Sequence, residues 1–191
     1  MTALTINSPV LPEGPWQSLL SHAFQLLDDM HIFVPDPQYL GFVTPRLSEA
    51  AAAVSPDYVE AANFVKLIRK EGEIDFVASP NLTPHPYETW DLLGRPVRVE
   101  TATEIVAKKL WHRGDMATAR DLFDLALVIE KEPDQLRTAA PFLTKHSGVF
   151  LDQLDKRHAL IRAQFEAIDT LTFKPSFQQA FTVASKFLRA L

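Results

Sequence analysis

The chain contains no cysteine, which excludes disulfide staples and thiolate metal sites. No apolar run approaches the length of a membrane span, and the first residues lack a basic stretch followed by an apolar core. These absences predict a cytoplasmic protein without a membrane anchor. Internal repeats and low-complexity tracts are missing too. So are the phosphate loop G-x-x-x-x-G-K-[ST], the dinucleotide signature G-x-G-x-x-G, the nucleophile elbow G-x-S-x-G and the zinc motif H-E-x-x-H. A net charge of −5 argues against a chain that coats nucleic acid by bulk charge, although a local basic patch stays open. What remains is ordinary globular material. Hydrophobic residues make up 47 % and charged residues 23 % of 191 residues, enough for one domain with a core and a helical appendage.

Periodicity divides the chain near residue 101. Residues 1–14, with Pro9, Pro12 and Gly14, read as an irregular lead-in. Apolar positions at Trp16, Leu19, Leu20, Ala23, Phe24 and Leu27 predict an amphipathic helix over residues 15–28. MHIFV then reads as a short buried strand stopped by Pro35-Asp36-Pro37, and PRLSEAAAAV as a second helix from Pro45. NFVKLIRK and EIDFVAS form the clearest hairpin, turning around Glu71-Gly72. YETWDLL and VRVET predict a second strand pair turning at Gly94-Arg95-Pro96. Beyond lie helices at 102–113, 117–131, 134–145, 149–168 and 176–190, with Thr101 and Glu104 at capping-box spacing. The fold class is therefore α+β, with a strand-rich part at 1–100 and a helical part at 101–191.

Two groups of residues carry candidate chemistry. In DDMHIF, Asp29 and His31 flank one residue at strand spacing and would share a face. Asp75 sits inside the apolar strand EIDFV, where a carboxylate needs a cation, a donor or an exposed edge. Three such groups on adjacent strands could hold Mg²⁺. The plainer alternative has Asp29 capping a turn, Asp75 facing solvent and His31 half-buried. The densest cluster is EIVAKKLWHRGDMATARDLFDLALVIE, residues 104–130. Lys109 and Arg113 run down one helix, and Asp121 and Asp124 share a face of the next. Here ion pairs involving Arg113 and Arg120 compete with a role for Lys109 at a triphosphate and for the acids at a metal, a base or a nucleoside. Lys66, Arg69, Lys70, Arg95 and Arg98 could form a basic strip on the sheet or simply a solvated surface.

The order DD-x-x-IFVPDPQYLG, a hairpin ending IDFV, ETATEIVAKKLWHRG and TARDLFDLALV resembles the AbiEii/AbiGii nucleotidyltransferase toxins of abortive-infection systems. The likeness covers roughly residues 28–131, and K-K-L-W-H-R followed by T-A-R-D-L-F-D-L is its most specific part. It implies a polymerase-β-like core, a small mixed or antiparallel sheet with helices, followed by a C-terminal helical bundle. It implies transfer of a nucleotide from a nucleoside triphosphate to an RNA or protein acceptor, with Mg²⁺ or Mn²⁺. By motif, Asp29, His31 and Asp75 stand at the metal positions, and Lys109 at the phosphate-facing lysine. Asp121 and Asp124 match the paired acids of R-D-x-x-D, while Lys109, Arg113 and Arg120 would meet the nucleotide. An antitoxin is the implied protein partner. The chain departs from the pattern twice. His31 replaces a carboxylate, and an imidazole suits Mn²⁺ or Zn²⁺ better than Mg²⁺. The family's G-G-[ST] element has no counterpart in PWQSLLSHAFQLLDD, which leaves the strand-rich part truncated. These departures set a second reading beside the enzyme, that of a catalytically silent partner module on the same fold. A strand lost with that element would open a sheet edge, which predicts a homodimer.

Overall fold

Alternation of apolar and polar residues is what builds the first half of the molecule. The computed structural model describes residues 4–7, 29–92 and 94–191. The chain divides into two compact units, one of Met1–Asn81 with Tyr87–Glu100, the other of Leu82–Pro86 with Thr101–Leu191. The helix expected at 15–28 lies outside the described residues, as does the segment where the G-G-[ST] element would stand.

The first unit is a mixed seven-stranded sheet in the order β3-β4-β5-β2-β1-β7-β6. Its strands are β1 (Leu4–Asn7), β2 (Asp29–Val34), β3 (Tyr58–Ala61), β4 (Phe64–Arg69), β5 (Gly72–Ala78), β6 (Tyr87–Leu92) and β7 (Arg95–Glu100). β1, β2 and β5 run parallel, and the others join antiparallel. β4 and β5 form the expected hairpin, with Arg69 opposite Gly72. Gly94, at φ 77°, supplies the left-handed turn between β6 and β7, and its N–H donates to Asp91 Oδ1 at 2.9 Å.

Period-two burial decides which side chains stay accessible. Met30, Ile32, Val34, Val65, Leu67, Ile74 and Phe76 are buried with Leu40 and Val43 of the connection after β2. That connection holds a 3₁₀ turn, Pro37–Phe42, capped by Asp36, and helix α1 (Glu49–Val54), capped by Ser48. The alternate residues of the same strands, His31, Lys66 and Asp75, therefore point to the other face.

Two strands went unread in the sequence. β1 is four residues of LTIN inside a proline-rich lead-in expected to be irregular, and it owes its extension to β2 and β7 on either side. β3 follows Pro56 and exists as the edge partner of β4. The helix expected from Pro45 begins only at Glu49, because residues 44–48 close a turn in which the Ser48 N–H donates to the Thr44 carbonyl at 2.9 Å.

The second unit is helical: α2 (Ala102–Arg113), α3 (Ala119–Lys131), α4 (Pro133–Thr138), α5 (Ala140–Leu143), α6 (Ser147–Lys156), α7 (His158–Glu166) and α8 (Phe177–Arg189). α3 lies at its centre, packed against α2, α4, α7 and α8. Leu122, Leu125, Leu136, Leu143, Leu154 and Ile161 are wholly enclosed in its core. The helix expected over 134–145 breaks at Ala139, since Pro141 has no N–H with which to continue the ladder. The one expected over 149–168 breaks at Arg157, whose ψ of 22° departs from helix.

Leu82–Pro86 belongs with the helices because of one carboxylate. Glu104, fully buried on α2, accepts from Leu82 N–H at 2.9 Å and Thr83 N–H at 2.8 Å. It also accepts from Thr83 Oγ1 at 2.7 Å. Buried Lys108, one turn on, stands 3.6 Å away. The capping spacing is thus half used. The Glu104 N–H donates to Thr101 Oγ1 at 3.2 Å, while the carboxylate ties down the loop instead.

Candidate functional site

Each unit carries one cluster of charged groups. In the sheet, hairpin register sets Lys66 of β4 opposite Asp75 of β5, and parallel pairing sets Asp75 opposite His31 of β2. The three side chains form one cross-strand row. His31 Nδ1 stands 3.2 Å from Asp75 Oδ2. Lys66 Nζ lies 3.6 Å from Asp75 Oδ1 and donates to Glu73. The hydrogen bond to Glu73 is the main cause that raises the Lys66 ammonium above its ordinary pKa, with the Asp75 charge adding to it against partial desolvation. Asp29 is paired with Glu73, one step along the same two strands. Its side chain is outside the described part of the molecule.

Asp75 Oδ1 is buried and accepts no hydrogen bond. A carboxylate oxygen short of a donor, beside an imidazole nitrogen on the other oxygen, is a fitting donor set for a divalent cation of mixed N/O preference. Among the described residues no three His, Asp or Glu side chains gather as a complete ligand set. Asp75 and His31 would therefore hold a cation only together with further oxygens. Lys66 competes for the same carboxylate. The sequence treated Lys66 as part of a basic strip, yet its partners are acids. Arg69 pairs with Glu71 at 3.4 Å, and Arg98 lies 4.5 Å over the Tyr87 ring. The turn expected at Glu71-Gly72 would have set residue 66 opposite 77; the hairpin instead turns at Lys70-Glu71, with Arg69 opposite Gly72, and this register brings Lys66 opposite Asp75.

In the helical unit the cluster spans α2 and α3. Lys109 donates to Asp124, and its Nζ lies 3.9 Å from Asp121 Oδ1. Arg113 Nη2 donates to that same Oδ1 at 2.6 Å. Asp121 also closes the capping box of α3. Thr118 Oγ1 donates to Asp121 Oδ2 at 2.7 Å, and the Asp121 N–H donates back to Thr118 Oγ1 at 3.1 Å. Asp121 is 3 % exposed while Lys109 and Asp124 are 22 % and 29 % exposed. Asp121 is thus an anchoring acid, and Lys109 with Asp124 forms the accessible pair. T-x-x-D was the available signal for the cap. Arg120, exposed, takes no part in these ion pairs among the described residues. On α2, His112 is held below its ordinary pKa, first by partial desolvation, then by the Lys108 and Lys145 charges.

A family model described as the nucleotidyl transferase AbiEii toxin of type IV toxin–antitoxin systems matches residues 32–188. Neither a curated protein nor a solved structure matches the chain. The match begins just past His31 and contains Asp75 and the whole α2–α3 cluster.

Proposed function

The chain belongs to the AbiEii nucleotidyl transferase toxin family of type IV toxin–antitoxin systems, and from that premise we propose that it transfers a nucleotide from a nucleoside triphosphate to an RNA. The observation that carries this reading is the division of labour on α2 and α3. Asp121 is spent on structure, whereas Lys109 and Asp124 stay reachable from solvent.

On this reading the triphosphate draws the Lys109 ammonium away from Asp124 and holds it by charge. Arg113, still anchored on Asp121, adds a second cation to the same helix face. The acceptor hydroxyl forms a new bond to the α-phosphorus, the α–β anhydride bond breaks, and pyrophosphate leaves. Asp124, released from Lys109, takes the hydroxyl proton. Asp75 and His31, with Asp29 by family likeness, are the residues that would hold Mg²⁺ or Mn²⁺, whose chemistry would be neutralisation of negative charge. An antitoxin is the partner that membership in such a system calls for.

The test is incubation of the pure protein with each labelled nucleoside triphosphate, Mg²⁺ or Mn²⁺, and total RNA, beside Asp29→Ala and Asp124→Asn. Labelled RNA that vanishes in both variants is the expected result. Total RNA left unlabelled under every nucleotide and metal would defeat the reading. A second reading, a catalytically silent partner module, is favoured by one observation. The α2–α3 cluster already neutralises Asp124 with its own Lys109, so it needs no ligand to be satisfied.

A further inference from the structure

The sheet ends differently at its two sides. At one side stands β3, four residues long, whose Glu60 accepts from Thr44 Oγ1 and, at 2.9 Å, from Arg46 Nε. A short edge strand tied to a neighbouring loop is a protected one. At the other side stands β6, six residues of YETWDL without lysine, proline or glycine. Among the described residues β6 pairs with β7 alone. Hydrogen-bond parity tells which of its backbone groups are unused. The Thr101 N–H donates to the Pro86 carbonyl at 3.0 Å, one step before Tyr87 meets Glu100 in the ladder. Antiparallel pairs alternate between bonded and non-bonded, so the backbone groups of Glu88, Trp90 and Leu92 serve β7. Those of Tyr87, Thr89 and Asp91 point away from the sheet, where no described residue meets them. Trp90, on the opposite face of the strand from Thr89, is 51 % exposed.

We infer that β6 pairs with the β6 of a second copy of this chain, antiparallel and centred on Thr89, so that one sheet runs through both copies about a two-fold axis. Only this centre uses every outward group. Tyr87 pairs with Asp91 of the second copy, Thr89 with its counterpart, and about six N–H···O=C bonds close. The side chains agree with the register. The Tyr87 hydroxyl meets the Asp91 carboxylate, and the two threonines face each other. On the other face Glu88 lies opposite Trp90, whose Nε1–H already donates to Glu88 within the chain at 3.2 Å. No directly opposed pair sets like charges together. The two Glu88 carboxylates stay diagonal, each held by an indole. The two Trp90 indoles also come diagonal to each other, within aromatic reach, and lose their exposure. Centring on Asp91 would set two carboxylates face to face, and centring on Tyr87 would drop Asp91 from the ladder. A strand of another protein would have to supply a matching donor for each acid, whereas this strand carries its own. β1 and β7 stand between β6 and β2 in the sheet, so the joint leaves the row of His31 and Asp75 clear.

The experiment is sedimentation velocity of the full chain over a range of concentrations, with disulfide trapping beside it. A joint of one strand per copy gives a Kd on the order of micromolar. Thr89→Pro removes an N–H that only the joint uses, and an edge strand tolerates proline where the N–H faces outward. Trp90→Glu sets like charges against Glu88 of the second copy. Each should weaken the dimer about tenfold or more, while Val59→Lys on β3 should leave it unchanged. Circular dichroism checks that all are folded. Because the chain has no cysteine of its own, Thr89→Cys places one thiol on each copy, and the register brings the two Cα atoms to about 5.5 Å, a distance a disulfide spans. Mild oxidation should link this variant into a dimer, and Val59→Cys should stay unlinked. A wild type that stays monomeric up to about 100 μM would overturn the inference. So would a dimer that both β6 variants leave intact, or linkage through Val59→Cys but not through Thr89→Cys.

Discussion

The two charged clusters use the same ingredients in opposite ways. In each, a lysine sits between two acids, Lys66 between Glu73 and Asp75, Lys109 between Asp121 and Asp124. In the helical unit one acid is locked by a cap and an arginine, and the other is left reachable. In the sheet cluster Asp75 is met instead by the Lys66 ammonium and the His31 ring. Asp75 keeps a buried oxygen without a donor, and its neighbours are an imidazole and an ammonium. The contrast separates a cluster that stabilises its own unit from one whose unmet valence stays open to a cation.

The largest test of this contrast is removal of the locked acid. Asp121→Ala should lower unfolding free energy by about 3–5 kcal/mol, since Arg113 and the α3 N-terminus lose their partner. Asp75→Ala should cost about 1 kcal/mol or less, because it relieves an unsatisfied oxygen as well as breaking two contacts. Urea unfolding of both variants decides the matter, and equal losses would erase the distinction. A sharper test follows from Lys66. Lys66→Met removes the ammonium that competes for Asp75, so calorimetric Mn²⁺ affinity should rise about three- to tenfold, each tenfold being 1.4 kcal/mol. Weaker Mn²⁺ binding in this variant would mean that the lysine supports the site rather than guards it.

The smallest effect concerns His112. Its folded pKa lies below the ordinary value, so between the two the unfolded chain binds a proton that the folded chain refuses. Stability should therefore fall slightly as pH drops below about 6.5, an effect that solvent around the exposed ring keeps small. His112→Gln should flatten that slope in melting curves taken from pH 7.5 down to 5. An unchanged slope would move its origin to other groups.

Much of this was legible in advance, for reasons that differ by element. The α2 and α3 helices carry apolar residues at helical spacing and caps at Thr101 and Thr118, so their positions follow from local chemistry. The family likeness rested on the same stretch, where K-K-L-W-H-R and R-D-L-F-D-L concentrate charge on two adjacent faces. Lys109, Asp121, Asp124 and Arg113 do come together. That Asp121 caps α3 was legible from T-x-x-D; that Arg113 holds its other oxygen was not, because this contact forms only once α2 and α3 pack. β1 and β3 were missed since their extension comes from strands far along the chain.

Residue order alone determined the alternation that turns His31, Lys66 and Asp75 to one face of the sheet, the α+β division and the charged helix pair, because these depend on periods of two and 3.6 residues and on near-neighbour capping. Packing alone decided that Glu104 would claim Leu82 and Thr83, and that Lys66 would stand against Asp75. Those outcomes depend on desolvation and on distances between segments remote in sequence, which no local pattern encodes.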